Sequence, residues 1–167
     1  MPLLILQHPE EARQAKGTAR LLQLCLQRCE RRVGAQFSAP VADAHPLLLL
    51  YPPEPGAPPP TLDWRADRPA PRLILLDGTW RQSRQLMRHS PWLQALPRLA
   101  LTATPPSRYA IRKAHAPHQL SSLEAAAQAL AQLQPALDTQ PLWEAMDAFV
   151  ALQQSLKSAA RSRASAT

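Results

Sequence analysis

Asp77-Gly78-Thr79-Trp80 brings together residue types that could do chemistry side by side. The acid follows Arg72-Leu73-Ile74-Leu75-Leu76, a short apolar run that reads as a strand buried on both faces. Asp77 therefore stands at the carboxyl end of a strand, where ligands of open parallel sheets bind as loops from neighbouring strands converge. A carboxylate there can orient a proton donor or take its proton. Gly78 lets the backbone turn tightly, and the Thr79 hydroxyl suits the cap of a following helix. A purely structural part as a cap is the alternative for both Asp77 and Thr79.

Trp80 comes next, and Arg81, Arg84 and Arg88 recur at three and four, forming one basic stripe on the helix that begins at this site. An aromatic ring beside arginines can hold a splayed-out RNA base and its phosphates. A core tryptophan beside a solvated basic face is the plainer alternative. A second basic and aromatic cluster, Ser107-Arg108-Tyr109-Ala110-Ile111-Arg112-Lys113, falls on a loop, where Arg108 or Arg112 could clamp a carboxylate or phosphate.

Elements that position these groups can be read from apolar spacing. Leu3 to Gln7 is a strand ending at His8-Pro9, because proline excludes a helical conformation for His8 and can itself open a helix. From Glu10 to about Val33, Leu22, Cys25, Cys29 and Val33 recur at three and four. That spacing predicts one helix, with Arg28, Arg31 and Arg32 toward its end, a stop at Gly34, and both cysteines packed as small apolar groups. His45 to Tyr51 is a second buried strand, and Arg98 to Thr102 a fourth after the one ending at Asp77.

Between them, about residues 52–71 hold eight prolines and predict an extended surface loop. Ser121-Ser122-Leu123-Glu124 has the spacing of a capping box for an Ala-rich helix. A last helix runs from about Pro141 past Leu156, with Leu142, Met146, Phe149, Leu152 and Leu156 in one stripe for burial against the sheet or a second subunit. Strands alternating with helices predict an α/β fold, a mainly parallel sheet flanked by helices, in a single domain over residues 1–157 with a flexible polar tail at 158–167. His8, Tyr51 and Asp77 then sit at three strand ends.

The composition narrows the partner. The chain has 167 residues, a formal charge of +7 and sixteen Arg against three Lys. Arginine favours forked contacts to phosphate and stacking on bases over point charge, which suggests a nucleic-acid partner without fixing it. No run of eighteen or more apolar residues occurs, and Met1-Pro2-Leu3-Leu4-Ile5-Leu6 lacks the basic region and cleavage site of a secretory signal. The expectation is a soluble, cytoplasmic protein without a membrane partner. Two cysteines four apart do not make a zinc site, so no metal is expected.

Asp77-Gly78-Thr79-Trp80, Ser107-Arg108-Tyr109-Ala110-Ile111-Arg112, Leu120-Ser121-Ser122-Leu123-Glu124-Ala125 and Leu6-Gln7-His8-Pro9-Glu10-Glu11 with Gly17-Thr18-Ala19-Arg20 follow in an order that resembles the DTW-domain family. The resemblance spans roughly residues 3 to 135. It implies a SPOUT-like α/β fold with a C-terminal trefoil knot, and transfer of a 3-amino-3-carboxypropyl group from S-adenosylmethionine to nitrogen 3 of a tRNA uridine, leaving methylthioadenosine. By that resemblance Asp77, Thr79 and Trp80 are the catalytic candidates, and His8, Thr18, Tyr51, Tyr109, Arg112, Ser121 and Ser122 the cofactor-binding ones. Arg81, Arg84, Arg88 and Arg108 are the candidates for RNA.

Two departures stand out. The family's cysteine-bearing zinc segment is expected to be absent, since this chain begins at the first strand, and the usual Asn-Thr-Gly reads Gly17-Thr18-Ala19. An RNA-binding module without catalysis and an S-adenosylmethionine-dependent RNA methyltransferase remain as competing readings, as does either a monomer or a homodimer.

Overall fold

A computed structural model describes residues 1–54, 56, 69–102, 105–109 and 120–164, with side chains through 162. Five strands form one parallel sheet: β1 (Leu3–Gln7), β2 (Cys29–Val33), β3 (Leu47–Leu50), β4 (Arg72–Asp77) and β5 (Arg98–Leu99). Their spatial order is β2-β1-β4-β3-β5. Among the described residues the helices are α1 (Pro9–Ala12), α2 (Thr18–Cys25), α3 (Trp80–His89), α4 (Ser122–Leu133) and α5 (Gln140–Ala164), with a 3-10 turn at Pro91–Leu93.

Because side chains alternate across a strand, the apolar runs feed two cores at once. Leu3, Ile5, Leu73, Leu75, Leu48 and Leu50 face α2, α4 and α5, where Leu22, Ala126, Ala127, Leu130, Leu142 and Met146 are buried. The small Ala126 and Ala127 let α4 lie close to the sheet. Leu4, Leu6, Ile74, Leu76 and Leu49 face the other way, onto Leu86 and Met87 of α3 and onto Leu93. At the carboxyl edge the same alternation sends Gln7 and Asp77 to the α2–α4 side. The predicted α/β architecture with a parallel, helix-flanked sheet is the observed one.

The predicted helix from Glu10 to Val33 is not. Its first turn is α1, its middle is α2, and Cys29–Val33 is the edge strand β2, paired in parallel with β1. Leu26 leaves helical geometry after Cys25, and the Arg28 carbonyl already accepts the Leu3 N–H at 2.9 Å. The spacing misled because an edge strand with one neighbour carries polar residues on both faces and shows no apolar alternation. Gly34, read as a helix stop, continues the ladder by donating to the Gln7 carbonyl at 3.0 Å. Cys25 is exposed rather than packed, and Cys29 is half-buried against the α2 side of the core.

β5 is only two residues long, shorter than the predicted fourth strand. α5 continues to Ala164 through residues read as tail. Its stripe is buried at Leu142 and Met146, whereas Leu152 and Leu156 are 55% and 56% exposed, because the helix outruns the sheet it packs on. Most of the proline-rich loop falls outside the described residues. Among the described residues no helix is long and apolar enough to cross a membrane.

Candidate active site

Asp77 ends β4 and Gln7 ends β1, directly paired in the parallel register. Both side chains are buried on the same face, and the Gln7 amide Nε2 donates to Asp77 Oδ2 at 2.8 Å. The Ser122 hydroxyl, on the first residue of α4, donates to Asp77 Oδ1. Each carboxylate oxygen thus accepts one internal donor and keeps a further lone pair for a ligand. Behind Gln7, Arg31 of β2 donates from Nη1 to Gln7 Oε1 at 2.5 Å and from Nε to Gln23 Oε1 at 3.0 Å.

The predicted capping box at the start of α4 is present. Ser121 accepts from the Glu124 N–H at 3.3 Å, and the Glu124 carboxylate accepts from the Ser121 N–H at 2.8 Å. Glu124 does more than cap. Only 1% exposed, it also accepts from the Arg108 N–H at 2.7 Å and from the Ser107 hydroxyl. Residues 105–109 are thereby held against the helix start, and the buried Tyr109 donates its hydroxyl to the Lys16 carbonyl. Thr18, at the start of α2, accepts from the Leu123 N–H at 3.3 Å.

These contacts enclose a cleft of about 530 Å³ lined by Thr18, Asp77, Tyr109, Ser121 and Ser122, with Glu11, Gln14, Lys16, Gly17 and Lys157 at its rim. Partial loss of water, and then the neighbouring Lys16 ammonium, hold Lys157 below the ordinary lysine value. Hydroxyls and the Asp77 carboxylate line the interior, with the Lys16 and Lys157 ammonium groups and the Glu11 carboxylate at the mouth. That set suits a ligand carrying both an amino and a carboxylate group.

Thr79 and Trp80 belong to the opposite side of the sheet. Thr79 caps α3 in a second capping box, accepting from the Gln82 N–H at 3.3 Å while its own N–H donates to Gln82 Oε1 at 2.6 Å. Gln82 also donates to Glu10 Oε2 at 2.7 Å, tying α3 to α1. Gly78 is needed for this packing rather than for an unusual turn, since its φ is not positive and a Cβ there would lie 3.0 Å from Gln82 Cβ. Trp80 is 53% exposed, not a core residue, and meets Tyr51 edge to face with ring centroids 5.8 Å apart. Arg98 lies over Tyr51 at 5.6 Å. Tyr51, Arg81, Arg84, Arg88 and Arg98 line a second, open groove of about 550 Å³ along α3.

Of the residues read from the sequence, the structure gathers Asp77, Thr18, Tyr109, Ser121 and Ser122 in one cleft. Tyr51 is instead part of the arginine groove, because β3 lies beyond β4 and its end opens toward α3. His8 caps α1, its Nδ1 accepting from the Glu10 N–H at 3.3 Å, and stands against Gly78 rather than lining the cleft. Arg108 departs from the stripe on α3, lying over Trp143 of α5 at 5.1 Å. Arg112 falls outside the described residues. Sequence reasoning did not single out Gln7, Arg31, Arg98, Lys16 or Lys157. Among the described residues, no group of three or more His, Cys, Asp or Glu side chains is placed to hold a metal ion.

The profile of the DTW domain family matches residues 1–154. A tRNA-uridine aminocarboxypropyltransferase 2 of Drosophila melanogaster is 36% identical over a region covering 79% of this chain and 56% of that protein. The Mus musculus protein of the same name is 33% identical, over 79% of this chain and 47% of its own length. The chain therefore spans about half the length of the curated relatives it matches. No solved structure matches it at a significant level.

Proposed function

This chain belongs to the DTW domain family, and we propose that it transfers the 3-amino-3-carboxypropyl group of S-adenosylmethionine to nitrogen 3 of a tRNA uridine, releasing methylthioadenosine. The reading rests on the activity its relatives are named for. The observation that carries it in this chain is the Asp77 carboxylate, fixed by Gln7 and Ser122 at the wall of a cleft whose other polar groups suit an amino acid.

The cleft is within the usual size of a small-molecule site and has the complementary donor set. Thr18, Tyr109, Ser121 and Ser122 would hold the cofactor, with Lys16 and Lys157 at its carboxylate. Arg112, of the same loop as Arg108, is proposed to join them. When bound, the sulfonium compound supplies an electrophilic carbon and a leaving group that takes the electron pair of the broken carbon–sulfur bond.

The chain's share is orientation and a place for the proton. Asp77 accepts the hydrogen bond of uracil N3–H through its remaining lone pairs, which aims the nitrogen at the γ carbon rather than at the methyl group. A carboxylate is a poor match for so weak an acid, so Asp77 takes the proton only as the new nitrogen–carbon bond develops. Trp80, edge to face with Tyr51 beside the arginine groove, offers a ring to an RNA base, and Thr79 caps the helix that carries it. Arg81, Arg84, Arg88 and Arg98 engage the phosphates of the tRNA, and Arg108 extends that contact from the other side.

The fold reading that accompanies this activity is SPOUT-like with a C-terminal trefoil knot. Residues 103–104 and 110–119, in the connection from β5 to α4, lie outside the described residues. The proposed setting is the cytoplasm, where the chain would act as a monomer or a homodimer. Product analysis after incubation with S-adenosylmethionine and tRNA tests the activity. Methylthioadenosine is expected; S-adenosylhomocysteine would make it a methyltransferase, and no product would make it an RNA-binding module.

A further inference from the structure

We infer that Gln7 is a positioning residue for Asp77 and that Arg31, on the edge strand, sets the direction of the Gln7 amide; the inference rests on the reading that Asp77 faces the substrate. The side chains form a line across three neighbouring strands, β2 to β1 to β4. Arg31 donates to Gln7 Oε1 at 2.5 Å, and Gln7 Nε2 donates to Asp77 Oδ2 at 2.8 Å.

Chemistry alone fixes the orientation of the amide in this line. A guanidinium only donates and an ionised carboxylate only accepts, so a primary amide between them satisfies both in one orientation and neither in the other. Arg31 is itself held by Gln23 of α2 through its Nε at 3.0 Å, so its fork cannot turn away without losing a second contact. Gln7 is 3% exposed and sits at the register position of Asp77. Its amide hydrogen is thus aimed at one carboxylate oxygen while Ser122 holds the other. Such a line fixes the plane of the carboxylate, and with it the direction of the lone pairs left for the substrate.

The line should be visible in kinetics. Arg31 is only partly buried on an edge strand, so Arg31→Met tests it without emptying the core. Expected is a fall in kcat of about tenfold with KM for cofactor and for tRNA within about twofold, as for lost preorganisation rather than lost binding. Arg31→Lys, which restores a donor, should recover most of the loss. Gln7→Met should lower kcat at least as far, and adding Arg31→Met to it should lower kcat no further. Unchanged kcat in Arg31→Met, or multiplicative losses in the double variant, would overturn the inference.

A readout independent of turnover separates this from the activity itself. In 15N-labelled protein, the Gln7 side-chain amide protons should be slow to exchange, and Asp77→Ala and Arg31→Met should each shift them and speed their exchange. If neither variant moves those signals the line does not exist, whatever the enzyme makes. If both do while wild type gives no transfer product, the activity is wrong and the line stands.

Discussion

Ser122, the first residue of α4, donates its hydroxyl to the carboxylate of Asp77 at the end of β4, closing the cleft between a strand end and a helix start. Asp77→Asn keeps the shape and can still pair with Gln7 and with Ser122, whose hydroxyl also accepts, but its amide cannot take the uridine proton. We expect kcat for uridine modification to fall by about a hundredfold or more, with the protein still folded by circular dichroism. Ser122→Ala should cost about tenfold and Ser122→Thr little, since threonine retains the hydroxyl. Near wild-type turnover in Asp77→Asn would remove Asp77 from the chemistry.

Glu124 holds residues 105–109 against α4 by accepting from Ser107, Arg108 and Ser121. Glu124→Ala should lower unfolding free energy by about 3–5 kcal/mol, because it strands several buried donors at once. Glu124→Gln should cost about 1–3 kcal/mol, its amide meeting one of those donors. Denaturant titration measures both. A loss in Glu124→Ala no larger than about 1 kcal/mol, the value of a cap alone, would mean that residues 105–109 are not held by this carboxylate.

The arginine groove predicts a salt dependence. If Arg84 and Arg88 each neutralise a tRNA phosphate, Arg84→Ala and Arg88→Ala should each reduce the slope of log affinity against log salt by about one. Cofactor binding should be unaffected, since neither residue lines the Asp77 cleft. Equal slopes for wild type and both variants would assign the stripe to a solvated face.

Burial pushes the Cys29 thiol above its ordinary value of 9.0 to about 11, with the nearby Arg31 opposing the shift, and burial also raises Cys25. At pH 8 the native Cys29 should alkylate about a hundredfold more slowly than an unfolded thiol, because the thiolate is that much rarer. In denaturant the difference should vanish. A folded value raised above the unfolded one contributes stability that is complete below pH 9 and is lost as pH climbs toward about 11. Cys29→Ala should flatten that decline; an unchanged profile would place its cause elsewhere.

Strands β1, β3 and β4 were legible because burial on both faces leaves an uninterrupted apolar run. The capping box at Ser121 was legible because it is local, its partners three residues apart. β2 was hidden, since Cys29-Glu30-Arg31-Arg32-Val33 has a polar edge composition and an accidental helical spacing with Leu22 and Cys25. Asp77 was placed by its strand end, but its partners Gln7 and Ser122 lie 70 and 45 positions away and follow only from register and packing. Tyr51 and Asp77 both end strands in the sequence; which side of the sheet each serves depends on strand order and alternation, which no single segment reveals.

The most direct measurement follows both products of one reaction. Purified chain, S-adenosylmethionine and unmodified tRNA are incubated, the small molecules separated, and the tRNA digested to nucleosides for mass analysis. Methylthioadenosine is expected in equal amount to a uridine heavier by one aminocarboxypropyl group, both lost in Asp77→Asn. S-adenosylhomocysteine with a methylated nucleoside, or tRNA bound but unchanged, would contradict it.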